Sequence, residues 1–374
     1  MTNLGRRSAV VIGGGLVGAS VAWGLARGGA KPLVLDEGDL TQRASRANFA
    51  LVWVQGKGLG YPDYALWTRA SAERWPRFAA ALEAETGVDV GLHQPGGFSF
   101  YLSEAEMERG RRDRERIVRE TGGRGAPFTI LSPAELRDRL PAIGPTVVGA
   151  AFSPLDGDVN SLRLFHALHV ALAKHGAEYR ANHAVQTIEP VAAGFRIAGD
   201  WGEVVAERLV LAAGVANEFL APMVGLNAPM RRSKGQVIVT ERCAPFFAYP
   251  SATMRQTDEG GVMIGDSEDT ASTSILADPR ISALMAARAI RVFPALAALN
   301  IVRTWAGFRI KSLDGFPIYE QSESPPGAFV VSCHSGVTLA ANHALELAPQ
   351  ILAGQLDPAL KPFAAGRFHV PQDC

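Results

Sequence analysis

The hydrophobic pattern at the start of the chain predicts a strand, a turn, a helix and a second strand in close succession. Residues 9–12 are a short apolar run, and a glycine-rich turn covers residues 13–18. Small apolar residues with helical spacing follow, and a second apolar run, residues 32–35, ends at Asp36. Two strands joined through a helix run parallel, so this segment predicts a βαβ unit.

The turn of this unit has the residue types that a dinucleotide requires. Gly13 permits the tight turn, Gly15 lets the backbone approach a pyrophosphate, and Gly18 lets the helix pack close to the sheet. The helix N-terminus offers free N–H groups and the positive end of a dipole. Asp36 stands about 20 residues further on, where a carboxylate can bind a ribose hydroxyl. A glycine-rich turn of another α/β protein is the alternative. The residues assigned to the same site beside these are Leu16, Val17 and Glu37.

The rest of the chain predicts a discontinuous α/β protein. Residues 44–48 are expected to form a small polar loop over the cofactor, and period-two alternation between Gly235 and Asp266 predicts antiparallel hairpins. We therefore expect a Rossmann-like cofactor domain with an inserted antiparallel α+β substrate domain. The cofactor domain is expected to comprise residues 1–86, 141–224 and 306–374, and the substrate domain residues 87–140 and 225–305. The remaining predictions are strands at 51–54, 97–102, 207–211 and 329–332, turns at 55–58, 156–160 and 333–336, and helices at 64–83, 104–120, 162–174, 281–293 and 338–352.

Composition excludes several classes of function. The 374 residues carry 37 basic and 37 acidic side chains, so the balance favours neither nucleic acid nor an anionic membrane as a partner. Cys243, Cys333 and Cys374 are few and far apart, which argues against a disulfide framework, a zinc site or an iron–sulfur cluster. No apolar run reaches the about 20 residues of a membrane span, and the glycine turn interrupts any signal-peptide core. A cytoplasmic protein is expected, which a partner could still tether to a membrane.

Motifs along nearly the whole chain resemble one superfamily. The chain is similar to the flavin-dependent D-amino-acid oxidase, glycine oxidase and sarcosine oxidase group, whose fold is glutathione-reductase-like. Ser45-Arg46-Ala47-Asn48 together with residues 53–58 further resembles the β subunits of hetero-oligomeric D-hydroxyproline and opine dehydrogenases, relatives of the hydrogen cyanide synthase subunit. The segments that carry the wider resemblance are residues 13–18 with Asp36, 44–48, 156–160, 211–214, 234–237, 305–309, 314–317 and 333–338.

The resemblance implies that the dinucleotide is FAD. Its adenosine half would lie on the glycine turn and Asp36, and Ser45 and Arg46 would reach the pyrophosphate or the ribityl chain. The isoalloxazine would lie at the domain boundary, with the start of the last helix, residues 336–338, at its pyrimidine edge. A helix N-terminus there stabilises the negative charge of the reduced flavin. The other cofactor contacts that the resemblance implies are Ala47, Asn48, Val185, Ala213, Gly214, Arg309, Ser335, Gly336, Val337 and Thr338.

Four residues are candidates for contact with the substrate. Relatives place an arginine at Arg309 that grips the substrate carboxylate, because a guanidinium fork binds a carboxylate bidentately. A structural ion pair is the alternative. Tyr249 is expected on a hairpin over the flavin, either in the pocket or in core packing. His334 is expected to donate a hydrogen bond to the flavin or the backbone rather than to act as a base. Lys311 is expected either to support the substrate or to project into solvent.

Two departures from the superfamily's pattern shape the expected function. No cysteine lies near Arg309, so FAD should be bound non-covalently. No lysine lies between Lys234 and Lys311, where some of these oxidases use one to activate oxygen. The missing lysine favours a dehydrogenase over an oxidase, and the resemblance implies a β subunit that oxidises a D-hydroxyproline or opine-type substrate to the imine. Its electrons would pass to a second flavin or an iron–sulfur cluster on an α subunit, and a small γ subunit could also belong to the complex. The alternatives are a stand-alone glycine, sarcosine or D-amino-acid oxidase that produces peroxide, a nicotinamide-dependent dehydrogenase, and a non-catalytic flavoprotein subunit.

Overall fold

The structure, a computed structural model, describes residues 2–38 and 43–368. The strands are β1 (Thr2–Ile12), β2 (Leu33–Leu35), β3 (Leu51–Val52), β4 (Gly97–Tyr101), β5 (Thr129–Leu131), β6 (Gly149–Ser153), β7 (Gly157–Asp158), β8 (Glu178–Arg180), β9 (Thr187–Val191), β10 (Gly194–Gly199), β11 (Gly202–Leu211), β12 (Met230–Arg231), β13 (Lys234–Arg242), β14 (Met254–Gln256), β15 (Gly261–Ile264), β16 (Ile301–Phe308), β17 (Lys311–Ser312), β18 (Ile318–Glu323) and β19 (Pro326–Ser332). The α-helices are α1 (Leu16–Arg27), α2 (Ala44–Ala47), α3 (Pro62–Thr86), α4 (Glu104–Glu120), α5 (Pro133–Arg139), α6 (Ser161–Lys174), α7 (Asn217–Leu220), α8 (Pro279–Val292), α9 (Ala340–Asn342) and α10 (Ala348–Ala353).

A mainly parallel sheet forms the larger half of the molecule. Strand β1 lies between β2 and β11 and is parallel to both. Its parallel pairing with β2 confirms the βαβ unit predicted at the start of the chain. Strand β8 extends the sheet beyond β2, and β19 extends it beyond β11, again in parallel. Antiparallel β18 closes one edge, and the β9–β10 hairpin adds to β11. The predicted α/β class is confirmed.

Two apolar layers cover this sheet. Helices α1, α3 and α6 and the last helix bury one face, where Trp23, Trp75 and Phe78 are fully enclosed. The other face packs Phe195 and Ile197 of β10 against the sheet. Because both faces are covered, the carboxyl ends of the parallel strands are where a ligand can approach.

The smaller half is built from antiparallel strands. One sheet has the order β14-β15-β13-β16, and a second has the order β4-β6-β5. A bridge between Phe98 and Ser251 joins the two, and their common core is rich in phenylalanine. Strand β16 is an edge strand that leads directly from this sheet to Arg309, so it connects the two halves of the fold.

Four predicted elements differ in the structure. Residues 44–48 are not a loop, because Ala44–Ala47 forms the helical turn α2. The strand predicted at 51–54 is limited to β3, and the turn predicted at 156–160 contains β7, which pairs with β3. The last helix continues through a π-helical segment, His343–Leu347, between α9 and α10. These departures depend on distant partners, which a local pattern does not show.

The placement of β6 bears on the domain ranges. The sequence assigns residues 141–224 to the cofactor domain, yet β6 within that range pairs with β4 and β5 in the antiparallel half. The full set of domain boundaries stays a prediction. Across residues 2–38 and 43–368, no helix has both the length and the apolar character needed to cross a membrane.

Candidate active site

The glycine turn after β1 leaves no room for side chains. A Cβ atom on Gly18 would lie 1.9 Å from the carbonyl oxygen of Gly13, and one on Gly13 would lie 2.4 Å from the carbonyl oxygen of Ala212. A Cβ atom on Gly15 would lie 2.7 Å from Ser45 Oγ. Gly13 also has φ +101°, which side chains rarely adopt. Only glycine fits these positions, so the turn is a cradle of backbone without side chains at the start of α1.

Helix α2 packs beside this cradle. Ser45 Oγ accepts a hydrogen bond from Leu16 N at 2.9 Å, so it occupies one of the free amides at the start of α1. Asn48 Nδ2 donates to Ser45 O at 2.8 Å, while the buried Asn48 Oδ1 has no hydrogen-bond partner among the described residues. Arg46 is exposed and lies over the ring of Phe165. The segment thus presents an unpaired acceptor and an exposed cation beside the glycine turn.

Asp36 is held at the end of β2. Its Oδ2 accepts from Gly14 N at 2.7 Å and its Oδ1 accepts from Gly38 N at 2.8 Å. A carboxylate has about four lone-pair sites, so both oxygens keep capacity for a ribose hydroxyl. Glu37 forms an ion pair with Arg43 instead. Val185 lies on a loop and packs against the apolar layer under the sheet.

The second predicted turn meets the first one. A Cβ atom on Gly336 would lie 3.2 Å from Val17 Cγ2, so residues separated by most of the chain are neighbours here. Val337 packs in the core beside them. Thr338 Oγ1 donates to Leu51 O and accepts from Trp53 N, both at 3.1 Å, which ties the turn before α9 to β3.

The carboxyl end of β11 completes this edge of the sheet. Ala213 N donates to Asn217 Oδ1 at 3.0 Å, and Gly214 has φ +61°. Backbone cradle, helix N-terminus, the Asp36 carboxylate and the unpaired Asn48 oxygen together fit a dinucleotide. No cluster of His, Cys, Asp or Glu suited to a metal ion occurs in residues 2–38 or 43–368.

Arg309 follows directly after β16. Its backbone N–H donates to Ser233 O at 2.8 Å, which fixes the main chain, whereas its buried Nη1 has no hydrogen-bond partner among the described residues. The guanidinium lies flat against Gly235, since a Cβ atom there would be 2.6 Å from Cζ, Nη1 and Nη2. Burial lowers the pKa of the guanidinium, which stays charged at neutral pH. Such an unpaired, partly desolvated fork suits a carboxylate ligand.

The other three substrate candidates have different surroundings. Lys311 Nζ donates to Glu268 at 2.8 Å, and its side chain is only 14% exposed, so it does not project into solvent. Tyr249 is in a loop rather than on a hairpin, and its ring packs edge-on against Phe98 at 5.2 Å. Burial and nearby cations lower the pKa of His334 well below its usual value, which keeps the imidazole neutral.

Two charged residues that sequence reasoning did not nominate lie beside Arg309. Lys57 Nζ donates to Ser335 Oγ at 3.0 Å, and that hydroxyl also bonds Tyr64 OH at 2.8 Å. Burial lowers the pKa of Lys57, while the nearby Asp266 carboxylate raises it. Asp266 itself follows β15. Lys57 could have been identified from the sequence because it belongs to the 53–58 motif. For Asp266 the sequence shows only that it follows a glycine at the end of a strand.

The Lys57 segment is held by a buried carboxylate. Asp156 accepts from Val54 N at 2.6 Å and from Gln55 Nε2 at 2.6 Å, and Gln55 Oε1 accepts from Arg114. Burial raises the pKa of Asp156 to about 7. This network fixes the turn that carries Lys57 towards the last helix.

Comparison with known proteins agrees with this geometry. The FAD dependent oxidoreductase family (DAO) matches residues 8–350. The chain is 59% identical to a subunit of the opine oxidase of Agrobacterium tumefaciens (strain Ach5) over 97% of this chain and 98% of that protein. It is 56% identical to the corresponding opine oxidase subunit of Rhizobium meliloti over the same shares. Glycine oxidase from Geobacillus kaustophilus has the same fold, with a TM-score of 0.87 at 23% identity over 98% of this chain and 99% of that one. The resemblance drawn from the motifs is thus confirmed, and the chain belongs to the FAD dependent oxidoreductase family.

Proposed function

We propose that this protein oxidises a secondary amino acid of the opine type to its imine, as the FAD-bearing subunit of a larger enzyme. The observation that carries the proposal is the unpaired, half-buried guanidinium of Arg309 at the boundary between the two halves of the fold. The names of the opine oxidase subunits support the substrate class.

The residues of the chain divide the work between cofactor and substrate. The glycine turn, Asp36, Asn48 and the 335–338 turn would hold FAD, and the bound flavin supplies the hydride acceptor. Arg309 would bind the substrate carboxylate and thereby orient the Cα–H bond. A neutral His334 adds no competing charge there. The protein therefore contributes binding, orientation and electrostatics to the reaction.

Lys57 gives the site a second cation. An N-carboxyalkyl amino acid has a carboxylate on each side of its nitrogen, so its recognition requires two cationic groups. Lys57 is hydrogen-bonded only to the Ser335 hydroxyl among the described residues, whereas Lys311 is committed to Glu268. We assign the second carboxylate to Lys57 for this reason.

The partner subunit is the second part of the proposal. Lys57 and Lys311 both lie near Arg309, so the missing lysine between residues 234 and 311 does not leave the site without one. The expectation of a partner therefore depends on the relatives, which are named as subunits, and on the sparse cysteines. We propose that this partner carries a second flavin or an iron–sulfur cluster and takes electrons from FAD.

Anaerobic flavin bleaching tests the substrate class. The purified holoprotein is mixed with N-(1-carboxyethyl)arginine, D-hydroxyproline, sarcosine and glycine, and the loss of flavin absorbance is followed. We expect the N-carboxyalkyl amino acid to bleach the flavin fastest, and Lys57→Met to remove most of that preference. Equal rates for sarcosine or glycine would contradict the opine assignment.

Turnover in air tests the subunit role. The single chain should be reduced by substrate yet turn over slowly with oxygen, and its co-expressed genetic neighbours should restore rapid transfer to a dye. Stoichiometric peroxide from the single chain at ordinary oxidase rates would instead establish a stand-alone oxidase.

A further inference from the structure

Asp266 is an acidic residue placed among the cations of the active site. It follows β15, where Gly265 N donates to Thr253 O at 2.8 Å and a Cβ atom on Gly265 would lie 2.9 Å from the ring of Phe49. Phe49 directly follows the cofactor segment 44–48. Asp266 is therefore fixed where the antiparallel sheet meets the cofactor site.

The backbone of Asp266 is strained. Its φ is +75°, a region that glycine adopts freely and that other residues occupy at a cost. Aspartate tolerates this region better than most residues, and strain of this kind concentrates at functional sites. Residue 266 therefore carries a side chain although its backbone conformation favours glycine.

The carboxylate of Asp266 has no partner of its own. Among the described residues it forms neither a hydrogen bond nor an ion pair within 4.0 Å, although its side chain is accessible. Burial of its surroundings raises its pKa, and Arg309, Lys57 and Lys311 lower it, with Glu268 acting in the opposite sense. A carboxylate that has no partner in the protein can accept hydrogen bonds from a cationic ligand.

The charges on either side define what this ligand must be. Ser267, the residue after Asp266, accepts a hydrogen bond from Gln236 N at 2.8 Å, and the Arg309 guanidinium lies against the neighbouring Gly235. Arg309 and Lys57 both lower the pKa of Asp266, yet neither forms an ion pair with it within 4.0 Å among the described residues. A ligand that bridges such groups needs an anionic part for the guanidinium and a cationic part for the acid. An α-ammonium carboxylate has both, and its nitrogen lies two bonds from the carboxyl carbon.

We infer that Asp266 binds the ammonium nitrogen of the substrate while Arg309 binds its carboxylate. The inference deepens the proposed function, on which it rests for the presence of an amino-acid ligand. Asp266 would then discriminate amines from the corresponding carboxylic and hydroxy acids. It would also fix the direction of the Cα–N bond, which the single carboxylate contact with Arg309 leaves free to rotate.

A matched pair of inert ligands tests this inference. 2-Methylalanine has an ammonium and a carboxylate but no Cα–H, so it cannot be oxidised, and isobutyrate is the same molecule without the amine. Dissociation constants are read from flavin absorbance changes in the holoprotein near pH 7.5. We expect the wild type to bind 2-methylalanine at least ~10-fold more tightly than isobutyrate, since hydrogen bonds to charged groups are strong. Asp266→Asn should bring the two within about twofold.

Two further variants control for folding and for charge in general. Asp266→Gly removes the carboxylate and relieves the positive φ, so it should melt no lower than the wild type and lose the same preference. Asp258→Asn removes an exposed acid in the turn between β14 and β15 and should leave the preference intact. Equal preference in wild type and Asp266→Gly would overturn the inference. Because neither ligand is oxidised, this result is independent of whether opines are the substrate.

Discussion

Gly235 offers a way to displace the Arg309 guanidinium without changing Arg309. A Cβ atom at this position would lie 2.6 Å from three atoms of the guanidinium. Unbonded carbon atoms prefer separations of about 3.5–4.0 Å, so Gly235→Ala must move the group by about 1 Å. The atoms that yield are the free end of a long side chain, so the fold should tolerate the change.

The expected effect is on substrate orientation. A misplacement of about 1 Å can cost roughly 100-fold in rate, and a desolvated charge pair that is lost costs on the order of 2–5 kcal/mol. We therefore expect kcat/KM for the amino-acid substrate to fall about 100-fold in Gly235→Ala. The FAD content and the melting temperature should stay near those of the wild type. Stopped-flow reduction of the flavin measures the effect directly.

Gly261→Ala is the matched control. Gly261 is in β15 of the same sheet, and its nearest atom to an added Cβ is Thr240 O at 3.4 Å, an ordinary contact. This variant should reduce its flavin at the wild-type rate. Retention of kcat/KM within about threefold by Gly235→Ala would refute the role of the guanidinium. Loss of FAD from Gly235→Ala would refute the reasoning that only the arginine tip yields.

Three further predictions concern the substrate clamp, the stability and the cofactor. Arg309→Ala and Arg309→Lys should each cut kcat/KM at least about 30-fold with FAD still bound, because neither variant has the planar guanidinium. The control, Arg303→Lys on the exposed part of β16, should leave kcat/KM unchanged. Near-normal kinetics of Arg309→Ala would exclude a role of Arg309 in binding the substrate carboxylate. Burial lowers the pKa of His343 to about 3, so its contribution to stability is present above its unfolded pKa near 6.5 and is lost as the pH falls towards 3. From about pH 7.5 to pH 5 the wild type should lose ~2 kcal/mol of unfolding free energy that His343→Gln does not lose, as measured by urea denaturation; parallel pH profiles would show that His343 is protonated in the fold. Acid precipitation should leave all the flavin in the supernatant, whereas flavin in the pellet would reveal a covalent link.

The cofactor half of the fold was predictable because its signals are local. The glycine turn, the helix and Asp36 lie within one βαβ unit, and each residue type has a mechanical reason at its place. Alternation likewise predicts the hairpins of β13 to β15. The length of α4 matches the prediction at both ends because Ser103 caps its start and its charges keep it solvated.

The substrate site was only partly predictable because its partners are far apart in sequence. Lys57 meets Ser335 across 278 positions, and no periodicity reports such a contact. In the sequence alone, Asp266 is no more than the end of a hairpin. Tyr249 suits pocket and core equally by its sequence position; its ring contacts Phe98, and its role in the substrate site stays a prediction. Long-range contacts thus decide which charged residues share a site.

The order of strands in the parallel sheet has a consequence for synthesis on the ribosome. Strand β1 is made first, yet its neighbour β11 begins at residue 202, about 190 residues after β1 ends at residue 12. At typical elongation rates this is a wait of roughly 10–40 s, during which β1 can pair with β2 but lacks its partner on the other side. The 335–338 turn arrives later still, after β19. The flavin would therefore join a finished chain rather than guide a growing one, and prematurely terminated chains would be colourless.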